Sequence, residues 1–131
     1  MKKAKLLNSG LSSIVAEMGH TDSLCICDAG LPFPKGVEKV DLAITNGVPK
    51  VLEVLDAILS ELPVEKVTIA SETLDANRLF YESIKERFAD IPIHEVSHQE
   101  FKAESSHCNA VVRTGECLPY ANIILHAGVA F

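Results

Sequence analysis

The chain has no tryptophan, only two tyrosines and five phenylalanines, so it lacks the aromatic surface on which sugar polymers and single-stranded nucleic acids stack. Positive charge is short too: 12 Lys and Arg face 18 Asp and Glu, for a net charge of -6. A surface of that sign repels phosphate backbones and anionic lipid, which argues against nucleic acid and membrane partners. No apolar run approaches the ~20 residues of a membrane span, and the opening MKKAKLLNSGLSS lacks the ~7–15 apolar residues of a secretory signal. A cytoplasmic chain is therefore expected. The four cysteines, Cys25, Cys27, Cys108 and Cys117, include no CxxC pair and are too sparse for a disulfide scaffold. No GxGxxG, Walker loop or GxSxG is present, so nucleotide binding and serine hydrolysis lack their usual signals.

What is present is a globular composition, 47% hydrophobic and 23% charged over 131 residues, long enough for one core and a single domain over 1–131. Leu11, Ile14, Val15 and Met18 recur at helical spacing between a capping Asn8 or Ser9 and Gly19, which predicts a first helix. Leu24 to Cys27 is a continuous apolar run, read as a strand buried on both faces, with Cys25 and Cys27 sharing one face as small buried hydrophobes. Val40, Leu42 and Ile44 alternate toward the turn Asn46-Gly47, predicting a second strand. Leu52, Leu55, Ile58, Leu59 and Leu62 form a helical stripe stopped by Pro63, and Val67 to Ala70 a further strand. A third helix is predicted over Asp75 to Phe88, capped by Thr73 or Asp75, with Leu79, Phe80, Ile84 and Phe88 as its apolar face. Ile91 to Val96, Ala110 to Val112 and Ile123 to Leu125 complete the strands. Ser97 and Glu100 match a capping box for a short helix holding Phe101. Strands alternating with helices predict an α/β sandwich whose central, mostly parallel sheet is flanked by helices.

In such sheets functional groups collect beyond the carboxyl ends of strands. Asp28 ends the first apolar strand and opens a Gly/Pro loop, and His20 stands only eight positions before it. A carboxylate bonded to one imidazole nitrogen fixes the tautomer and prepares the other nitrogen for proton transfer, so Asp28 is expected to orient His20. The plainer alternative makes His20 a helix-end residue favoured by the dipole and Asp28 a turn residue. His94 to His98 reads HEVSH, the zinc-protease pattern HExxH, but that chemistry needs both histidines on one helix. Here His94 falls in a strand and His98 in the first turn of the capped helix, about 13 Å apart if extended, so no metal is assigned. His98 stands instead at a strand-to-helix junction like that of Asp28. Tyr120 and Asn122 flank the start of the last strand, where a phenol and an amide can hold hydroxyl groups of a polar ligand; turn chemistry accounts for Asn122 equally well. His107 and His126 are irregularly placed and read as solvated or satisfied histidines.

The segments MKKAKLLNSGLSSIVAEMGHTDSLCICDAGLPFP, VDLAITNGVP and YANIILHAGVAF together resemble the bacterial D-ribose pyranases, relatives of the fucose mutarotases, along the whole chain. The resemblance implies an isomerase that interconverts the pyranose and furanose forms of D-ribose without a cofactor. It implies His20 as proton donor and sugar contacts from Asp28, His98, Tyr120, Ala121 and Asn122. A homodecamer of two stacked pentamers, with sites completed by a neighbouring subunit, is implied as well. Two other classes compete. A sugar-binding module tied to ribose uptake would need the same hydroxyl-gripping residues but no titrating group, and a mutarotase for another aldose such as fucose would differ only in preference.

Overall fold

The computed structural model describes all 131 residues. In chain order the elements are α1 (Ser9–Glu17), β1 (Ser23–Cys27), β2 (Glu38–Asp41), α2 (Val51–Leu59), β3 (Val64–Ala70), α3 (Thr73–Ala76), α4 (Arg78–Arg87), β4 (Ile93–Val96), α5 (His98–Ser105), β5 (Ala110–Arg113) and β6 (Ile123–Ala127). All six strands join one sheet in the order β2-β5-β1-β6-β3-β4. Five run parallel to one another, and β6 alone is reversed, pairing antiparallel with β1 and β3 on either side. The predicted α/β sandwich with a mostly parallel sheet is thus the observed fold. No helix is long and apolar enough to cross a membrane.

Alternation along the strands builds two cores of unequal size. Leu24, Ile26, Val67, Ile69, Val112, Ile123 and Leu125 point to one face, where Leu11 and Ile14 of α1, Val54, Leu55 and Ile58 of α2, and Phe80 and Ile84 of α4 cover them. The intervening Cys25, Cys27, Val111 and Ile124 point to the other face and are covered by Phe101 of α5, Leu31 and Cys108, with Phe33, Val37 and Val96 packed at the margin. Cys25 and Cys27 therefore share a buried face as expected. The neighbouring Cys27 thiol and burial push the Cys25 thiol well up, and burial pushes Cys108 up to about 11, which disfavours the reactive thiolate at both.

Local signals explain the helix boundaries. The Asn8 side chain accepts from Leu11 N and starts α1, and the Ser97/Glu100 capping box starts α5 with both reciprocal bonds formed. The helix predicted over Asp75 to Phe88 is two helices. Asn77 (φ -149°, ψ 68°) breaks the chain and caps α4 through Phe80 N, and Leu79, expected on the apolar face, is 82% exposed. The second strand also ends earlier than the alternation predicts. It stops at Asp41, after which Ala43 N donates back to the Asp41 carboxylate, an Asx-type turn that competes with the ladder. Ile44 is left 81% exposed.

Candidate active site

The antiparallel pairing of β1 with β6 decides which residues meet. With Ile26 opposite Ile123, continuing the register by one step brings Asn122, just before β6, alongside the end of β1 and Asp28. The Asn122 side chain uses both ends of its amide there: Oδ1 accepts from Asp28 N at 2.8 Å and Nδ2 donates to Asp28 Oδ2 at 3.1 Å. Asp28 Oδ1 accepts in turn from Gly30 N at 3.0 Å. The carboxylate is thus aimed by its neighbours rather than by a cation, with lone pairs left over for hydroxyl donors.

His98 arrives from the other side. As the first residue of α5 its N–H has no intrahelical acceptor, and the Glu72 carboxylate takes it at 2.9 Å. The Ser71 hydroxyl, together with that N–H, holds Glu72 below its ordinary range. The imidazole stands edge-on to Tyr120, with ring centroids 5.1 Å apart and planes at 90°. Its Nδ1 is buried without a partner, so the rest of the ring edge is what a ligand can reach. Asp28, Leu31, Pro32, His98, Pro119 and Tyr120 line a cleft of about 330 Å³, room for one monosaccharide. Ala121 is buried between Tyr120 and Asn122, behind the wall that Tyr120 forms.

Tyr120 is held in the left-handed region at φ 52°, a conformation costing a non-glycine residue roughly 1 kcal/mol. Neighbours fix it: Thr73 Oγ1 donates to Tyr120 O at 3.2 Å and Asn77 Nδ2 donates to Pro119 O at 3.0 Å. The buried Glu116 carboxylate accepts from the N–H groups of Cys117 and Leu118, which fixes the start of the same loop. Neither Glu72 nor Glu116 stood out in the sequence, and Thr73 was expected only as a helix cap. Asn77 carried a signal that was missed, a capping residue hidden inside an apparently continuous helical stripe.

His20 is elsewhere, and the expected Asp28–His20 pair does not form. The five-residue β1 separates them, a span of roughly 16 Å, with His20 at the amino end and Asp28 at the carboxyl end. The carboxylate on His20 Nε2 is Glu65, at 2.9 Å, with both side chains about half exposed. A mainly apolar hollow of about 380 Å³ adjoins it, lined by Met18, Pro63, Gly128, Val129 and Phe131 among others. Of the six expected residues, Asp28, His98 and Tyr120 line one cleft, Asn122 stands behind Asp28 through its two bonds, Ala121 is buried beside it, and His20 stands at the other end of the sheet. His94 and His98 lie on β4 and α5 as the sequence indicated.

Comparison with known proteins fits this geometry. The family model described as the RbsD / FucU transport protein family matches residues 1–130. Curated D-ribose pyranases of Coprothermobacter proteolyticus and Clostridium perfringens are 52% and 53% identical over 131 residues, covering all of both chains. Among solved structures, Bacillus subtilis RbsD complexed with D-ribose superposes with a TM-score of 0.97 at 44% identity over the full length of both chains. FucU from Bifidobacterium longum superposes with a TM-score of 0.78 at 28% identity over 97% of this chain and 99% of that one. By these matches over its whole length, the chain belongs to the RbsD/FucU family.

Proposed function

We propose that the protein is a D-ribose pyranase, interconverting ribopyranose and ribofuranose by acid/base ring opening and reclosure in the Asp28 cleft. The observation that carries this is the cleft itself: one monosaccharide-sized space walled by a braced carboxylate, an imidazole and a phenol, in a chain superposing on a ribose-bound relative. Asp28, His98, Tyr120, the Ala121 backbone and Asn122 hold the hydroxyls. Ring opening breaks the bond between C1 and the ring oxygen; that oxygen gains a proton while the anomeric hydroxyl loses one to become the aldehyde. Reclosure adds the C4 hydroxyl to the aldehyde with the two proton transfers reversed. No electrons leave the sugar, so no cofactor is called for, and acid/base help of this kind is typically worth about 10²–10⁴-fold.

His20 supplies the proton, with His98 or a bound water as the base. Because His20 and Asp28 lie at opposite ends of one chain, the His20 that serves a cleft belongs to a second copy. Both ends carry exposed apolar side chains, Val129 and Phe131 at the His20 end and Ile44, Val48 and Leu118 around the loops near the cleft. A head-to-tail contact covers both sets at once, and such heterologous contacts close into rings, in keeping with stacked pentamers in a homodecamer. The four unpaired cysteines accord with a reducing, cytoplasmic location.

The test is NMR exchange on equilibrated D-ribose, inverting a pyranose anomeric resonance and following the furanose signals. Wild-type protein accelerates the transfer and His20→Ala returns it to the buffer rate. Wild-type protein that leaves the buffer rate unchanged would overturn the assignment, and fucose then becomes the substrate to try.

A further inference from the structure

The His20 backbone is well fixed. Gly19 N donates to Asp22 Oδ2 at 2.9 Å and Asp22 N to Gly19 O at 3.2 Å, closing a turn in which Thr21 takes φ 73°. That turn is stitched to the end of β6 by Thr21 N to Ala127 O at 3.0 Å and Ala127 N to Asp22 O at 2.8 Å. The imidazole is a different matter. With 52% of its side-chain surface open, packing does not choose its rotamer, and its one side-chain bond is to Glu65.

The fold goes out of its way to put Glu65 there. In the β3–β6 ladder Lys66 pairs with His126 and Val64 with Ala127, so Glu65 is the extra residue of a bulge, the device by which a strand re-aims a side chain. Gly128 leaves space for it. A Cβ at position 128 would lie 3.2 Å from the Glu65 Cβ, tighter than ordinary contact, and in ordinary contact with Oε2 at 3.7 Å, while Gly128 N is tied to Pro63 O at 2.9 Å and cannot easily yield.

We propose that Glu65 is the positioning residue for His20: it accepts a hydrogen bond from Nε2–H, fixes the rotamer, turns Nδ1 outward as the nitrogen that gives its proton to the sugar, and holds the ring as the Nε2–H tautomer once that proton has left. This rests on the ribose pyranase reading. It replaces Asp28 as the carboxylate partner of the catalytic histidine, and it leaves Asp28 free to hold the substrate.

The experiment compares kcat and KM by NMR exchange for wild type, Glu65→Ala, Glu65→Gln and Gly128→Ala, with melting temperature and assembly size measured alongside. Glu65→Ala lowers kcat about 10- to 100-fold, a part of the roughly 10²–10⁴-fold that acid/base catalysis contributes, with KM within about twofold because the sugar is gripped at the other cluster. Glu65→Gln, whose carbonyl oxygen can accept the same bond, recovers part of the loss. Gly128→Ala, which crowds Glu65 without removing it, reproduces the kcat effect at a few-fold. A Glu65→Ala protein with wild-type kcat, or one whose loss lies in KM, overturns the proposal, as does a Gln variant no better than Ala. Inactive wild type would sink the enzymatic reading and this inference together, whereas active wild type, inactive His20→Ala and fully active Glu65→Ala would sink this inference alone.

Discussion

At the carboxyl end of β1, Asp28 is held by both ends of the Asn122 amide and by Gly30 N, and the loop carrying Tyr120 is fastened by Thr73 and Asn77. At its amino end His20 rests on one bond to Glu65 with about half its surface open. A network with its polar groups satisfied is rigid and suits a site that must present fixed acceptors to hydroxyls. A lone, half-exposed imidazole suits a group whose working surroundings come from elsewhere. On the function we propose, the difference teaches that one chain holds a finished sugar grip and an unfinished proton donor, and that catalysis depends on bringing two chains together.

The largest expected effect breaks or upholds that division outright. His20→Ala and Asp28→Ala proteins are each inactive alone. If every site takes Asp28 from one copy and His20 from another, unfolding the two variants together and reassembling them at equal amounts restores about a quarter of wild-type activity, since random mixing in a heterologous ring pairs the two intact halves with that frequency. If a single chain supplied both residues, no mixture would contain a complete site, and the exchange rate in the reassembled protein would stay at that of buffer.

A smaller effect separates the two clusters by kinetic signature. Asn122→Ala removes both bonds that aim Asp28 and strands a part-buried N–H, a loss on the order of 1–3 kcal/mol or about 10- to 100-fold in kcat/KM. Because that cluster grips substrate and product alike, the loss is expected as a raised KM, the opposite of the kcat loss at Glu65. Should Asn122→Ala depress kcat at unchanged KM, the distinction between gripping end and reacting end would collapse.

Much of the gripping end was legible in the sequence because its signals are local. An acid closing a buried apolar run gave Asp28, a capping box gave the position of His98 at the start of α5, and Pro119 before an apolar strand gave Tyr120 and Asn122. The supports were not legible, because they are contacts across 42 to 47 residues, such as Thr73 and Asn77 on the 119–120 loop. The Asp28–His20 pairing failed for a simple reason. Eight residues apart is close in a turn, but with a strand between them the two residues point to opposite ends of a sheet. Glu65 was invisible for the same kind of reason: a bulge in a strand pairing carries no pattern in composition, and its partner lies 45 positions away.

The smallest expected effect is a pH dependence that arises at His126, beside the amino end of β1. His126 lies on β6 opposite Ser23 and Lys66, bonded through Nε2 to Thr68 Oγ1 at 3.0 Å. Burial, then the charges of Lys66 and His94, push it down to about 4, with Glu65 pulling the other way. The unfolded chain takes up this proton near pH ~6.5, whereas the folded protein resists it until about 4. Stability is therefore fully present above ~6.5, is lost as the pH falls through the interval, and stays lost below it. Asp56, held low by its bond to Arg87, also loses its contribution in acid, but only as the pH falls through its own lowered value, and equally in any His126 variant. His126→Gln keeps a partner for Thr68 and cannot take up a proton, so the gap between wild-type and variant melting temperatures shifts in the variant's favour from pH 6.5 to 4. Since the side chain is only partly buried the shift is modest, a few degrees at most for a chain of this length. Melting curves that move in parallel over that interval would mean the amino end of β1 carries no titrating strain, and would leave the Glu65 bond as the sole electrostatic feature distinguishing it from the cleft.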